Sequence, residues 1–228
     1  NMNQQPGISV SIILTVLNEG ENVRELLEAL LSQSRRPDQI VIVDGGSRDD
    51  TIAIIEEARQ REPLIRLLVV PGVNIAEGRN IAIAEASSEV VAVTDGGCRP
   101  APDWLEEMIR PFEDDSSVDA VAGNIIVEGR SEFERCSGLL STPKFDDAEA
   151  NQTGMFYGRC SAYRKQLWLT VGGYPEWLYT AEDSLFALAA KRRGFKAVYA
   201  PAAKLRWRPR PNLRKTAKMF FLYGRGNG

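Results

Sequence analysis

The sequence contains no histidine in 228 residues. That absence excludes Ser-His-Asp and Cys-His catalysis, His-ligated zinc and proton transfer through imidazole. Acid–base chemistry must therefore come from carboxylates, lysine, tyrosine or cysteine. Cysteine is scarce as well. Cys98, Cys136 and Cys160 are odd in number, widely spaced and contain no CxxC pair. They are expected to be reduced thiols of a cytoplasmic protein, mostly filling core. No apolar run approaches the roughly 20 residues that cross a bilayer, and no signal peptide opens the chain. Asn1 ahead of Met2 reads as a leftover residue, so the natural chain is expected to begin at Met2. No GxGxxG follows the first apolar segment, which argues against a dinucleotide oxidoreductase.

What is present is ordinary in bulk and uneven in detail. Hydrophobic residues make up 43% and charged residues 26%, enough for a core in one large α/β domain or two small ones. The net charge is −3, but from Lys191 onward there are 12 Lys/Arg and no Asp or Glu, which leaves 16 basic against 31 acidic residues before it. An acidic body with a basic end fits a phosphate-rich ligand or an anionic surface; the plainer reading is a solvated basic face.

Strand and helix patterns alternate through the first half. Ile8–Leu17 is a β-branched strand. Val23, Leu26, Leu27, Leu30 and Leu31 form the apolar stripe of a helix. Ile40–Val43 is a buried strand, followed by a helix that Asp49 or Asp50 can cap and that buries Ile52, Ile55 and Ala58. Ile65–Val70, Val90–Thr94 and Val118–Val127 read as strands, with helices over Glu77–Ala86 and Pro102–Phe112. This pattern predicts βαβ units and a mostly parallel sheet. Phe156–Tyr163 reads as a strand and Glu182–Arg193 as a helix. Thr142–Thr153 is polar and aperiodic, and is expected to be a mobile loop or acceptor-side lid. Leu213, Ala217, Phe220 and Phe221 form one face of a final helix. No linker and no internal repeat divides the chain, so one domain is expected.

In an open parallel sheet, ligands bind beyond the carboxyl ends of the strands where strand order reverses. Three predicted strands end in polar residues: Thr15, Asn18 and Glu19 on the first, Asp44 on the second, Asp95 on the fourth. Such acids can simply cap the next helix. Asp44 and Asp95, however, are each followed by two glycines, which let backbone approach a ligand closely.

Several ordered motifs then carry a resemblance. They are Ser11–Glu19, the Asp44-Gly-Gly-Ser47-Arg-Asp49-Asp-Thr51 run, Gly78-Arg79-Asn80, Thr94-Asp95, Val171-Gly-Gly-Tyr-Pro-Glu176 and Ala181-Glu182-Asp183. From Val10 to about Arg210 the sequence resembles the inverting glycosyltransferases of family 2, with the GT-A fold, a Rossmann-like three-layer α/β sandwich. The resemblance implies transfer of a sugar from a nucleotide-diphosphate sugar to an acceptor hydroxyl. It puts Thr15, Leu17 and Asp44 at the base and ribose, Glu19 on the donor side, Arg79 beside the base or phosphates, and Asp95 at the ribose or a phosphate-bound metal. Asp183, with Glu182 beside it, would be the general base. The acceptor would be a glycan, a lipid carrier or a small molecule, and no nucleic acid is expected as a partner. A nucleotidyltransferase is the rival enzyme, but Asn18-Glu19-Gly20-Glu21 is acidic where a basic phosphate loop would be needed. A non-catalytic nucleotide-sugar or glycan-binding relative is the rival from another class.

The sequence departs from the family pattern at its metal site. The DxD position reads Asp95-Gly96-Gly97, and Trp207 stands where a histidine is usual. A divalent Mg²⁺ or Mn²⁺ would rest on Asp95 alone. Alternatively Arg208 and Arg210 neutralise the diphosphate directly. Residues 8–210 are thus expected to form the glycosyltransferase domain. Residues 211–228 would be a basic amphipathic helix, either packed on the domain or resting on an anionic membrane surface at the inner face of the membrane, with room for a membrane segment beyond.

Overall fold

A computed structural model describes residues 7–142 and 154–227. The first half follows the expected alternation: β1 (Val10–Val16), α1 (Glu21–Leu31), β2 (Gln39–Asp44), α2 (Thr51–Arg61), β3 (Ile65–Val69), α3 (Ile75–Glu85) and β4 (Val90–Asp95). After it come β5 (Cys98–Pro100), α4 (Trp104–Asp114), β6 (Ala120–Val127), α5 (Glu132–Ser141), β7 (Ser161–Arg164), α6 (Lys165–Val171), α7 (Glu182–Arg192), β8 (Ala197–Trp207) and α8 (Leu213–Asn227).

The strands form one sheet in the order β3-β2-β1-β4-β7-β6-β8-β5. It is mostly parallel, with β7 and β5 reversed. β1 pairs with β2 on one side and β4 on the other, so chain order reverses at β1/β4, which is where such a sheet opens a crevice. Register aligns Thr15 with Asp95 and Val16 with Asp44, which brings three chemically useful strand ends level.

Strand alternation explains the layers. Val10, Ile12, Leu14 and Val16 pack with apolar residues of α1, α2 and α4, including Trp104 and Phe112. Ile13, Val41, Val43, Val91 and Val93 pack on the opposite face with α3, α6 and α7, including Phe186. The result is an α/β/α sandwich.

The second half departs from expectation in identifiable ways. The strand predicted over Phe156–Tyr163 shortens to β7, and Phe156 packs instead against Tyr163 and Phe186. β8 escapes periodicity because Pro201 interrupts it. The pairing with β6 jumps from Gly123↔Ala200 to Asn124↔Lys204, so Pro201–Ala203 lies in a bulge outside the ladder. α5 carries little apolar signal, since Phe133, Leu139 and Leu140 are exposed. Pro102 precedes α4 rather than opening it, and Pro111 lies inside that helix. Cys98 and Cys160 are buried as expected, whereas Cys136 is exposed. The loop expected over Thr142–Thr153 lies, beyond Thr142, outside the described residues.

Candidate active site

The ends of β1 and β2 are tied to each other. Asn18 adopts a left-handed φ of 54°, and its Oδ1 accepts from the Arg48 N–H at 2.9 Å. The N–H groups of Glu19 and Gly20 both donate to Thr51 Oγ1 at 2.9 Å. Asp44 is fully buried. Its Oδ1 accepts from Gly46 and Ser47 N–H at 2.8 and 2.7 Å, and its Oδ2 from the Ser47 hydroxyl at 2.6 Å. Asp44 therefore organises its own turn, where a ligand contact had been expected. Leu17 is exposed above Gly45.

α3 starts with a capping box. Asn74 Oδ1 accepts from Glu77 N–H, and the Glu77 carboxylate accepts from Asn74 N–H. Reading the helix from Glu77 overlooked the Asn74-x-x-Glu77 signature. The helix packs tightly on β1: a Cβ on Gly78 would lie 2.7 Å from the Thr15 methyl. That closeness delivers Arg79 to the crevice.

Arg79 is the centre of the site, only 3% exposed. Nη1 donates to Glu182 Oε1 at 2.7 Å and Nη2 to Asp95 Oδ1 at 3.0 Å. The guanidinium lies 5.5 Å from the Tyr174 ring centroid. It joins the end of β4 to the start of α7, and its partner Glu182 lies 103 residues away in the chain. Both Nη groups are thus committed to carboxylates, while Arg79 still lines the cleft. Glu182 is the partner of this ion pair. It lines the cleft, but Arg79 holds its carboxylate, and burial pushes its pKa up, with Arg79 opposing and Asp183 adding to the rise.

Asp183 is half-buried beside it. Its Oδ2 accepts from Gly158 N–H at 3.0 Å and its Oδ1 from Ser184 N–H at 2.7 Å. The residue before this pair, Ala181, has φ 64°, an uncommon state for alanine. A left-handed residue at the helix start turns Glu182 toward Arg79 and leaves Asp183 on the cleft. The cleft holds about 250 Å³ and is lined by Asp95, Tyr157, Arg159, Tyr179, Glu182 and Asp183 among others.

The remaining predicted residues sit apart from it. Glu19 packs on Gly96, where a Cβ would meet its carboxyl carbon at 2.6 Å. Burial raises the Glu19 pKa, opposed by Arg210. Arg208 lies 3.4 Å from Glu25 and 3.5 Å from Glu128, away from the residues that line the cleft. Arg210 is exposed and acts electrostatically on Glu19. A second arginine that lines the cleft with Arg79 was missed by sequence reasoning: Arg159, whose guanidinium lies 4.3 Å over the Trp207 ring. Nothing in its local pattern marks it. Among the described residues, no three His, Cys, Asp or Glu side chains are grouped to hold a metal ion.

The family model for Glycosyl transferase family 2 matches residues 11–170. Glycosyltransferase AglE of Haloferax volcanii is 25% identical over 201 residues, covering 84% of this chain and 64% of that protein. The O-antigen chain rhamnosyltransferase RfbN of Salmonella typhimurium is 22% identical, covering 87% of this chain and 66% of that protein. The chain thus spans less than two thirds of the length of these relatives. A mannosyltransferase from Pyrobaculum calidifontis, solved in complex with GDP-Man and Mn²⁺, superposes with a TM-score of 0.72 at 24% identity, over 89% of this chain and 57% of that one. TarS of Staphylococcus aureus, residues 1–349, gives 0.72 at 20% identity over 88% and 60%. These likenesses establish the GT-A fold. By the family match over most of its length, the chain belongs to glycosyl transferase family 2.

Proposed function

We propose that this domain transfers a sugar from a nucleotide-diphosphate sugar to an acceptor hydroxyl with inversion at the anomeric carbon. The observation that carries this reading is one cleft lined by both Asp95, at the strand switch, and Asp183, at the start of α7, with Arg79 tying the two sides together. Direct displacement needs a base on the acceptor side, and Asp183 is the cleft carboxylate that Arg79 does not occupy. It takes the acceptor proton as the acceptor oxygen attacks. The bond from the anomeric carbon to the phosphate oxygen breaks, and its electron pair leaves with the nucleoside diphosphate.

The donor side is the crevice at Thr15, Leu17, Glu19 and Asp95, with Asp44 shaping its floor. On the acceptor side, Trp177 and Tyr179 are 73% and 75% exposed on a segment pinned by Asn74 and Asn80 to Glu176. Rigid exposed rings suit the apolar face of a sugar, which favours a glycan acceptor over a small polar one. Residues 8–210 would form the catalytic domain. On α8, Leu213 and Phe221 are exposed beside Arg214 and Lys215, which suits contact with an anionic membrane surface. Among the described residues, no helix is long and apolar enough to cross a membrane.

A thermal-shift panel of nucleoside diphosphates tests the reading. One of them should raise the melting temperature by mass action, and the matching nucleotide sugar should be slowly hydrolysed. Binding without hydrolysis or transfer would instead favour a non-catalytic binding protein. Release of pyrophosphate from a nucleoside triphosphate with a sugar phosphate would favour a nucleotidyltransferase.

A further inference from the structure

Gly158 is buried in a turn beside the cleft, where the Cys160 N–H donates to the Tyr157 carbonyl. Its φ is not in the left-handed region, so the backbone does not ask for glycine there. The space does. A Cβ at this position would lie 2.5 Å from Arg79 Nη1, 2.6 Å from Nη2 and 2.7 Å from Cζ. The Gly158 N–H, in turn, donates to Asp183 Oδ2 at 3.0 Å. One residue therefore touches both the carboxylate read as the base and the arginine that ties α7 to β4.

The contact has little slack. Arg79 is 3% exposed, and Glu182 and Asp95 hold its Nη groups. The turn is anchored as well. Phe156 packs edge-on against Phe186, which follows Asp183 on α7 by three residues. Cys160 is buried, its carbonyl accepts from Gly123 N–H at 2.9 Å, and its Sγ accepts from the Trp104 indole at 3.4 Å. A side chain on Gly158 thus leaves two outcomes. Either the guanidinium is pushed off Glu182, the neighbour of Asp183, or the turn lifts and its N–H leaves Asp183. Both disturb the same carboxylate. Asp183 Oδ1 takes the N–H of Ser184, which moves with it, whereas the Gly158 N–H reaches it from a separate element.

We propose that Gly158 is a positioning residue for the transfer. Its N–H orients the Asp183 carboxylate, and its missing side chain lets the Arg79–Glu182 pair close against the same turn. This rests on the reading of Asp183 as the base. An aligned carboxylate oxygen takes the acceptor proton as the acceptor oxygen bonds to the anomeric carbon. A misplacement of about 1 Å costs on the order of 10²-fold in rate.

The test compares the full chain with Gly158→Ala, Asp183→Asn and the double variant. Hydrolysis of UDP-glucose, GDP-mannose, ADP-glucose, CDP-glucose and TDP-glucose is read with protein in excess, and binding of the five diphosphates by calorimetry. For the donor that reacts, Gly158→Ala should lower turnover about 10- to 100-fold, with diphosphate affinity within about threefold of the parent. In the Asp183→Asn background the same methyl should cost less than about threefold, because an absent base cannot be misplaced. A second cycle needs no turnover. Gly158→Ala should lower the melting temperature by about 3–10 °C in the parent and by less than about 2 °C in Arg79→Met, which lacks the three atoms the methyl would meet. Turnover within about threefold of the parent, an equal fall in the Asp183→Asn background, or equal melting shifts in the second cycle would each overturn this inference and leave the nucleotide-sugar reading standing. No hydrolysis of any of the five donors by the parent would overturn both.

Discussion

Asp44-Gly45-Gly46 ends β2 and Asp95-Gly96-Gly97 ends β4, on either side of β1. In sequence the two loops look interchangeable. In the structure Asp44 is fully buried and accepts three hydrogen bonds from its own turn, whereas Asp95 is about one third exposed and reaches across to Arg79. The first loop is built to hold a shape and the second to face a ligand. The same acid, followed by the same two glycines, takes its job from what lies opposite. Across from Asp95 stands α7, which brings Glu182 and Asp183. The Asp44 loop is instead closed by α2 and by Pro71, which a Cβ on Gly46 would meet at 3.0 Å.

Four substitutions sharpen or break this contrast. The largest stability effect is expected at Arg79, because Arg79→Met leaves the buried Glu182 near Asp95 without a counter-ion. The loss should be about 3–5 kcal/mol in urea unfolding; a loss under about 1 kcal/mol would mean that the ion-paired cluster does not hold the two halves together. Asp44→Ala comes next, at about 2–3 kcal/mol, since it removes three hydrogen bonds that hold the turn and leaves a void at a fully buried side chain. Asp95→Asn should cost less than about 1 kcal/mol, because Glu182 still balances Arg79 and the amide oxygen still accepts. Equal losses at the two aspartates would erase the distinction drawn between their loops. The smallest change is a gain: Ala181→Gly relieves a left-handed alanine and should raise stability by up to about 1 kcal/mol, part of the relief being offset by the entropy of glycine in the unfolded chain.

Much of the fold was legible because the first half obeys simple periods. β1, β2 and β4 are continuous apolar runs with polar ends, and α1 shows its stripe plainly. The second half was harder for physical reasons. β8 hides behind Pro201 and a bulge, and α5 leaves its large apolar residues exposed. At the site, Asp95 was marked by its place at a strand end and Asp183 by the family resemblance, and both line the cleft. The partnership of Arg79 with Glu182 was invisible, since nothing in the chain announces a contact 103 residues away. Arg208 and Arg159 show the same limit. The basic C-terminal stretch drew attention to Arg208, yet it lies by Glu25 and Glu128, away from the residues that line the cleft, and the second cleft arginine comes from a segment with no excess of positive charge. The missing histidine matters most at one place. Trp207, where the resemblance expects an imidazole, is the platform for that arginine.

The central claim is that Asp183 is the base of a sugar transfer whose donor binds independently of it. The direct measurement is transfer or donor hydrolysis by Asp183→Asn, using the nucleotide sugar found by the diphosphate panel, alongside its affinity for the diphosphate. Turnover should fall about 10²- to 10⁴-fold while diphosphate affinity stays within about threefold of the parent. Turnover that survives the substitution would contradict the account.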